Sequence, residues 1–223
     1  GGIPGLANLT TKDEIFATAY LDNPSIESGN RTVPHPKTII DGMALHIPSF
    51  YSRVYRLADI IDVDYFVPGC PPAPAQVKAV LLAVASGALP PKGSVVGASE
   101  RNLCDECSRQ KGEKKLKRFY RSFEVMQDRE RCLLEQGILC MGSATRGGCG
   151  VRCPTSNQGC RGCYGPGPGV VDAGARFLSA VASIVDSKDP EEIDRILDTA
   201  PDFSGTAYRF GLPASTLQRR HRP

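Results

Sequence analysis

The 223 residues carry 27 Lys and Arg against 24 Asp and Glu, a net charge of +3. That balance excludes a strongly basic nucleic-acid face as the main feature. A hydrophobic content of 41% with 7% aromatics and no Trp predicts a globular fold with an aliphatic core, and no apolar run reaches the ~18 residues of a membrane span.

Taken along the chain, the first third reads as α/β. Lys12 to Tyr20 predicts a helix capped by Thr10 or Thr11. Leu21 to Lys37 reads as loop. Ser49 or Ser52 is placed to cap a helix running to about Ile60, with Val54, Leu57, Ala58 and Ile61 on one face. Val63 to Val67 predicts a short buried strand that ends at Pro68-Gly69-Cys70-Pro71-Pro72. Pro74 then opens a helix whose apolar face is Val77, Val80, Leu81 and Val84, stopped by Gly87 and Pro90. Helix, strand, turn, helix is the rhythm of a parallel sheet, and in such sheets ligands gather at the carboxyl ends of strands. Cys70 lies at that point.

Pro90 to Ser99 reads as a linker. Beyond it the chain is cysteine-dense, with a helical insert expected from about Glu113 to Gln136. Gly165-Pro166-Gly167-Pro168-Gly169 reads as a hinge. Two helices are expected after it, Val170 to Val185 and one capped by Asp189 with Pro190 in its first turn. The expected organisation is 1–95, 96–165 and 166–223.

Nine cysteines are the informative residues: Cys70 alone, then Cys104, Cys107, Cys132, Cys140, Cys149, Cys153, Cys160 and Cys163. An odd total argues against a closed disulfide set. Thiols this dense without a secretory pattern read as metal ligands. Zinc would use the Cys-x-x-Cys pairs at 104/107 and 160/163 as knuckles. Iron suits the residues better. Eight thiolates match two [4Fe–4S] clusters, the intervening glycines let backbone N–H groups approach cluster sulfur, and Cys153 is followed by Pro154. Cys104 and Cys107 are expected to share one cluster, and Cys149 and Cys153 the other; spacing does not assign the remaining four.

At Pro68-Gly69-Cys70-Pro71-Pro72 the chain resembles the small, electron-transferring subunit of [NiFe] hydrogenases and the related 20 kDa subunit of complex I. Leu103-Cys104-Asp105-Glu106-Cys107, Cys132-Leu133-Leu134-Glu135-Gln136-Gly137 and Thr145-Arg146-Gly147-Gly148-Cys149-Gly150 are similar to methyl-viologen-reducing hydrogenases of methanogens and cytoplasmic sulfhydrogenases. The complex I subunit lacks such a tail. The resemblance implies a flavodoxin-like domain, a ferredoxin-like iron–sulfur domain and C-terminal helices. It also implies two tail [4Fe–4S] clusters and a proximal one that Cys70 would share with three cysteines ahead of Gly1. The opening Gly1-Gly2-Ile3-Pro4-Gly5 matches the stretch after the third of those ligands, so the chain is expected to be the C-terminal part of a longer subunit. The function implied is a cytoplasmic electron relay that performs no bond chemistry. Its implied partners are a large subunit that oxidises H2 and an iron–sulfur or flavin acceptor subunit, such as one of heterodisulfide-reductase type. A zinc-stabilised adaptor and a complex I-like subunit of a membrane-bound assembly are the alternatives.

Arg109, Lys111, Lys114, Lys115, Lys117, Arg118 and Arg121 form a basic run with one acid, Glu113. It reads as a solvated face or as a docking face for an acidic redox partner. His35, His46 and His221 are scattered and read as surface or structural residues.

Overall fold

The computed structural model describes residues 2–27, 32–112 and 115–218. Helix α1 (Lys12–Tyr20) opens on a reciprocal cap. Thr11 Oγ1 accepts the Glu14 N–H at 3.2 Å, and the Glu14 carboxylate accepts the Thr11 N–H at 2.9 Å. An antiparallel hairpin follows, β1 (Lys37–Ile40) and β2 (Met43–His46), with Lys37 opposite His46. The sequence reading had no hairpin here. Its signal was Asp41-Gly42, both at positive φ, the pair that a two-residue hairpin turn needs.

The helix expected to reach Ile60 does not form; only a 3-10 turn, Leu57–Asp59, does. Asn8 supplies the reason. Its amide donates to the Val54 carbonyl at 2.9 Å, and its side-chain oxygen accepts the Val54 N–H at 2.7 Å. Both backbone groups that a helix would use at Val54 are thereby taken.

Strand β3 (Tyr65–Phe66) is shorter than expected and only partly covered. It pairs in parallel with β4 (Ser94–Val95), so the stretch read as a linker contains a strand. Between them runs α2 (Pro74–Ser86), with Pro74 in its first turn and Gly87 closing it at φ 68°. The strand and helix are as read, while the returning strand β4 is not, and the expected apolar stripe does not turn inward: Leu81 is 63% and Val84 54% exposed.

The second half is held differently. Among the described residues, no helix occupies the stretch from 115 to 136; Glu113 and Lys114 lie outside them. Its N–H groups reach distant acceptors instead: Leu116 to the Ile184 carbonyl (2.9 Å), Phe119 to Thr199 Oγ1 (2.8 Å), Tyr120 to the Gly137 carbonyl (2.8 Å). Short helices α3 (Leu103–Glu106) and α4 (Arg152–Thr155) carry cysteines. Helix α5 (Ala173–Ala182) is shorter than the 170–185 expected and begins at Asp172, whose carboxylate accepts the Ala175 N–H. Helix α6 (Pro190–Asp198) starts on Asp189 as read, but α7 (Phe203–Tyr208) follows it.

The Gly165–Gly169 stretch is not a free hinge. The Gly165 carbonyl accepts the Arg146 N–H, and the Gly167 N–H donates to the Ala144 carbonyl, each at 3.0 Å. One core draws on both sides of it: Leu103, Phe119, Met141, Phe177, Val181, Ile184 and Ile196 pack together. No helix among the described residues is long and apolar enough to cross a membrane.

Candidate metal centres

All nine cysteines are free thiols. Seven fall into two neighbourhoods, and an eighth, Cys160, stands between them. Cys104 lies on α3 and Cys107 just beyond it, and both face Cys132 and Cys140. Burial, and then the charge of Cys140, push the Cys104 thiol up to about 12; Lys111 opposes this, and Cys132 and Cys107 add to it. A cavity of about 360 Å³ opens among Cys104, Cys132 and Cys140, and Lys111, Glu135 and Arg176 also line it. Close approach is built in at Gly142, where a Cβ would come within 2.9 Å of the Cys104 sulfur.

Cys149, Cys153 and Cys163 form the second neighbourhood. Burial pushes the Cys163 thiol up, the Cys70 N–H draws it down, and the charges of Cys153, Cys149 and Cys70 raise it further. Cys160 stands between the two groups. Burial, with the charge of Cys140 next, pushes its thiol up to about 12; the Thr145 hydroxyl and Gly162 N–H oppose this, and Cys163 adds to it. The Cys160 N–H donates to the Cys140 sulfur at 3.3 Å. Burial pushes the Cys140 thiol up as well, against that N–H and the Gly142 N–H.

Cys70 is exposed on the turn after β3, where Gly69 takes a φ of 124°. Its N–H and its charge both act on Cys163, which sets it beside the second neighbourhood. Tyr164 fixes this placement. Its hydroxyl donates to Gln76 Oε1 on α2 at 2.8 Å and accepts the Ala73 N–H.

The donor set bears on which metal fits. Among the described residues, no three His, Cys, Asp or Glu side chains converge as ligands for a single ion. A zinc site calls for four thiolates at about 2.3 Å from one ion. Cys104, Cys132 and Cys140 line open space instead, room of the kind that a cluster of several atoms requires. At Cys104, Cys140, Cys160 and Cys163, burial and the charge of neighbouring thiols oppose thiolate formation unless a bound cation compensates. The N–H groups aimed at sulfur are of the kind that tune iron–sulfur centres.

Two residues escaped the sequence reading. Tyr164 carried only the signal of standing next to Cys163. Arg109 was grouped with the exposed basic run, yet it is 9% exposed, and its guanidinium donates to the backbone carbonyls of Pro154, Asp128 and Arg131. Burial removes it from any docking face. Lys111, Lys115, Lys117, Arg118 and Arg121 are exposed. His35 and His46 are exposed around the hairpin, and His221 lies outside the described residues.

No family model matches the chain. Individual relatives do. The chain is 39% identical over 225 residues to the iron–sulfur subunit of the F420-non-reducing hydrogenase of Archaeoglobus profundus, covering 99% of this chain and 69% of that one. It is 38% identical over 225 residues to the corresponding F420-non-reducing hydrogenase subunit of Methanothermobacter marburgensis, covering 97% and 67%. To the delta subunit of sulfhydrogenase 2 of Pyrococcus furiosus it is 32% identical over 110 residues, covering 49% and 37%.

Proposed function

Since the chain belongs to the family of F420-non-reducing hydrogenase iron–sulfur subunits, an electron-relay part of a hydrogenase, we propose how its thiols serve that relay. Cys104, Cys107, Cys132 and Cys140 hold one [4Fe–4S] cluster, and Cys149, Cys153, Cys160 and Cys163 hold a second. Cys70 contributes to a third, beside Cys163. Bound clusters supply one-electron carriage between a large subunit that splits H2 into two protons and two electrons and an acceptor subunit.

The single observation that carries the assignment is that Cys104, Cys107, Cys132 and Cys140 gather in one neighbourhood and Cys149, Cys153 and Cys163 in another, with Cys160 between them. The first group draws on the separate segments 104–107 and 132–140, so there the fold, and not local spacing, makes the cage. The Cys160 N–H on the Cys140 sulfur joins the two groups through one backbone contact. Cys70 beside Cys163 gives the order: Cys70, then the 149–163 group, then the 104–140 group with its open cavity. Lys111 and Arg176, exposed and lining that cavity, suit an acidic acceptor, because complementary charge speeds association.

The upstream region is also part of the reading. A two-stranded parallel sheet is not a stable unit alone, so β3, α2 and β4 are proposed to complete a flavodoxin-like sheet with further strands.

Replacing Cys149 or Cys132 by Ala, one at a time, in the full hydrogenase tests the partition. The proposal expects each variant to lose one paramagnetic signal of the reduced enzyme, and a different one in each case. Loss of the same signal in both variants would overturn it.

A further inference from the structure

Arg109 presents a charge that no carboxylate among the described residues balances. All five N–H donors of its guanidinium are used: Nε and one terminal nitrogen on the Pro154 carbonyl (3.1 and 2.8 Å), the other terminal nitrogen on the Asp128 (2.8 Å) and Arg131 (2.9 Å) carbonyls, and the last donor on Asn157 Oδ1. Every acceptor is neutral. Among the described residues no carboxylate forms an ion pair with it. A guanidinium only 9% exposed therefore has its hydrogen bonds satisfied and, among the described residues, no counter-ion. Buried charges are ordinarily paired, because desolvation of an unpaired one costs several kcal/mol.

Its position suggests where the counter-charge comes from. Arg109 is two residues beyond Cys107. Arg131, whose carbonyl it holds, precedes Cys132; Pro154, whose carbonyl it holds twice, follows Cys153. The guanidinium ties together three ligand-bearing segments, drawn from both thiol groups. It also meets the carboxyl end of α4 at Pro154 and Asn157, where free carbonyls accumulate.

We propose that Arg109 is a positioning residue whose charge is balanced by the anionic iron–sulfur sites on either side, and that it raises their reduction potential. This rests on the iron–sulfur reading given above. The physical reason is direct: a thiolate-bound cluster gains one negative charge on reduction, and a buried cation nearby stabilises the more negative state. Fixed hydrogen bonds hold the cation in place, so little reorganisation accompanies the electron's arrival.

The test compares Arg109→Lys, which keeps the charge and gives up the fork, with Arg109→Gln, which keeps hydrogen bonding and gives up the charge. Both are made in the full hydrogenase. Iron and acid-labile sulfide are measured first; their absence from the unmodified enzyme would sink the iron–sulfur reading itself. Redox titration followed by electron paramagnetic resonance then reads the potentials. With iron retained, Arg109→Gln should lower the potential of at least one tail cluster, while Arg109→Lys should stay nearer the unmodified value. Both variants should lower the melting temperature, because both weaken the clamp. Equal potentials in the two variants and the unmodified enzyme, at full iron content, would make Arg109 a structural clamp only. A fall of the same size in Lys and Gln would place the effect in the lost fork geometry and overturn the charge argument.

Discussion

The two halves of this chain treat apolar side chains in opposite ways. From Leu103 onward, Phe119, Leu133, Phe177, Val181 and Leu212 are 1% exposed or less. Before residue 96, Ile39, Met43, Leu57, Ile60 and Leu81 are each more than half exposed, and an apolar groove of about 960 Å³ runs between α1 and the 47–60 segment. The difference teaches which part carries its own core. The cysteine region and the helices behind it close upon themselves around the thiols. The first part offers apolar surface that something else must cover, since exposed patches on this scale mark interfaces.

The sharpest way to break that comparison is to cut into the closed core. Phe177 is fully buried and stacks on Phe203 with ring centroids 5.3 Å apart. Phe177→Ala should cost ~3–5 kcal/mol, read as a lower midpoint in denaturant. A loss under ~1 kcal/mol would mean that the helices behind the cysteine region are not its core.

Legibility followed a different divide, between local signals and distant partners. Helices α1, α2 and α6 could be read because Thr11, Pro74, Gly87 and Asp189 are local signals that act within one turn. The expected helices at 49–60 and 113–136 failed because distant partners claimed their backbone: Asn8 at Val54, Thr199 at Phe119, Gly137 at Tyr120. The nine thiols were plain in the sequence, and so was the nearness of Cys104 to Cys107. That Cys132 and Cys140 join them, while Cys160 stands between the groups, depends on chain reversals that spacing does not encode. Arg109 shows the same limit, since nothing local distinguishes a buried guanidinium from its exposed neighbours.

A smaller effect is expected at Asp172, where the closed region is tied to the chain's end. Its carboxylate accepts the Ala175 N–H at 3.0 Å and the Thr216 N–H at 3.0 Å. Burial pushes this carboxyl up, but the Thr216 hydroxyl and the N–H groups of Ala175, Thr216 and Gly174 outweigh it, and the net pKa lies below the ordinary carboxylate value. A depressed folded-state pKa adds stability that is present above the unfolded value of about 3.9 and disappears as pH falls through the folded one. Asp172→Ala should cost about 1–2 kcal/mol at neutral pH, and the gap from the unmodified protein should narrow in acid below pH ~4. A gap that stays constant down to strong acid would show that the carboxylate's charge plays no part.

The smallest effect in the chain alone should come from α2. Replacing Leu81 and Leu82 by Gln should shift the stability of the isolated chain by no more than about 0.5 kcal/mol per site. The same change should weaken assembly of the full hydrogenase, measured as co-purification of its subunits. A large loss of stability in the isolated chain would show that this face is already covered.

The central claim is that the thiols form two cages for iron–sulfur clusters. The direct measurement is iron, zinc and acid-labile sulfide per chain in the full subunit, purified without oxygen. The account predicts iron and sulfide in equal amounts, about eight of each from the two tail clusters with more where a third is complete. Bleaching of the visible colour by dithionite should accompany them. Stoichiometric zinc with negligible sulfide would contradict it.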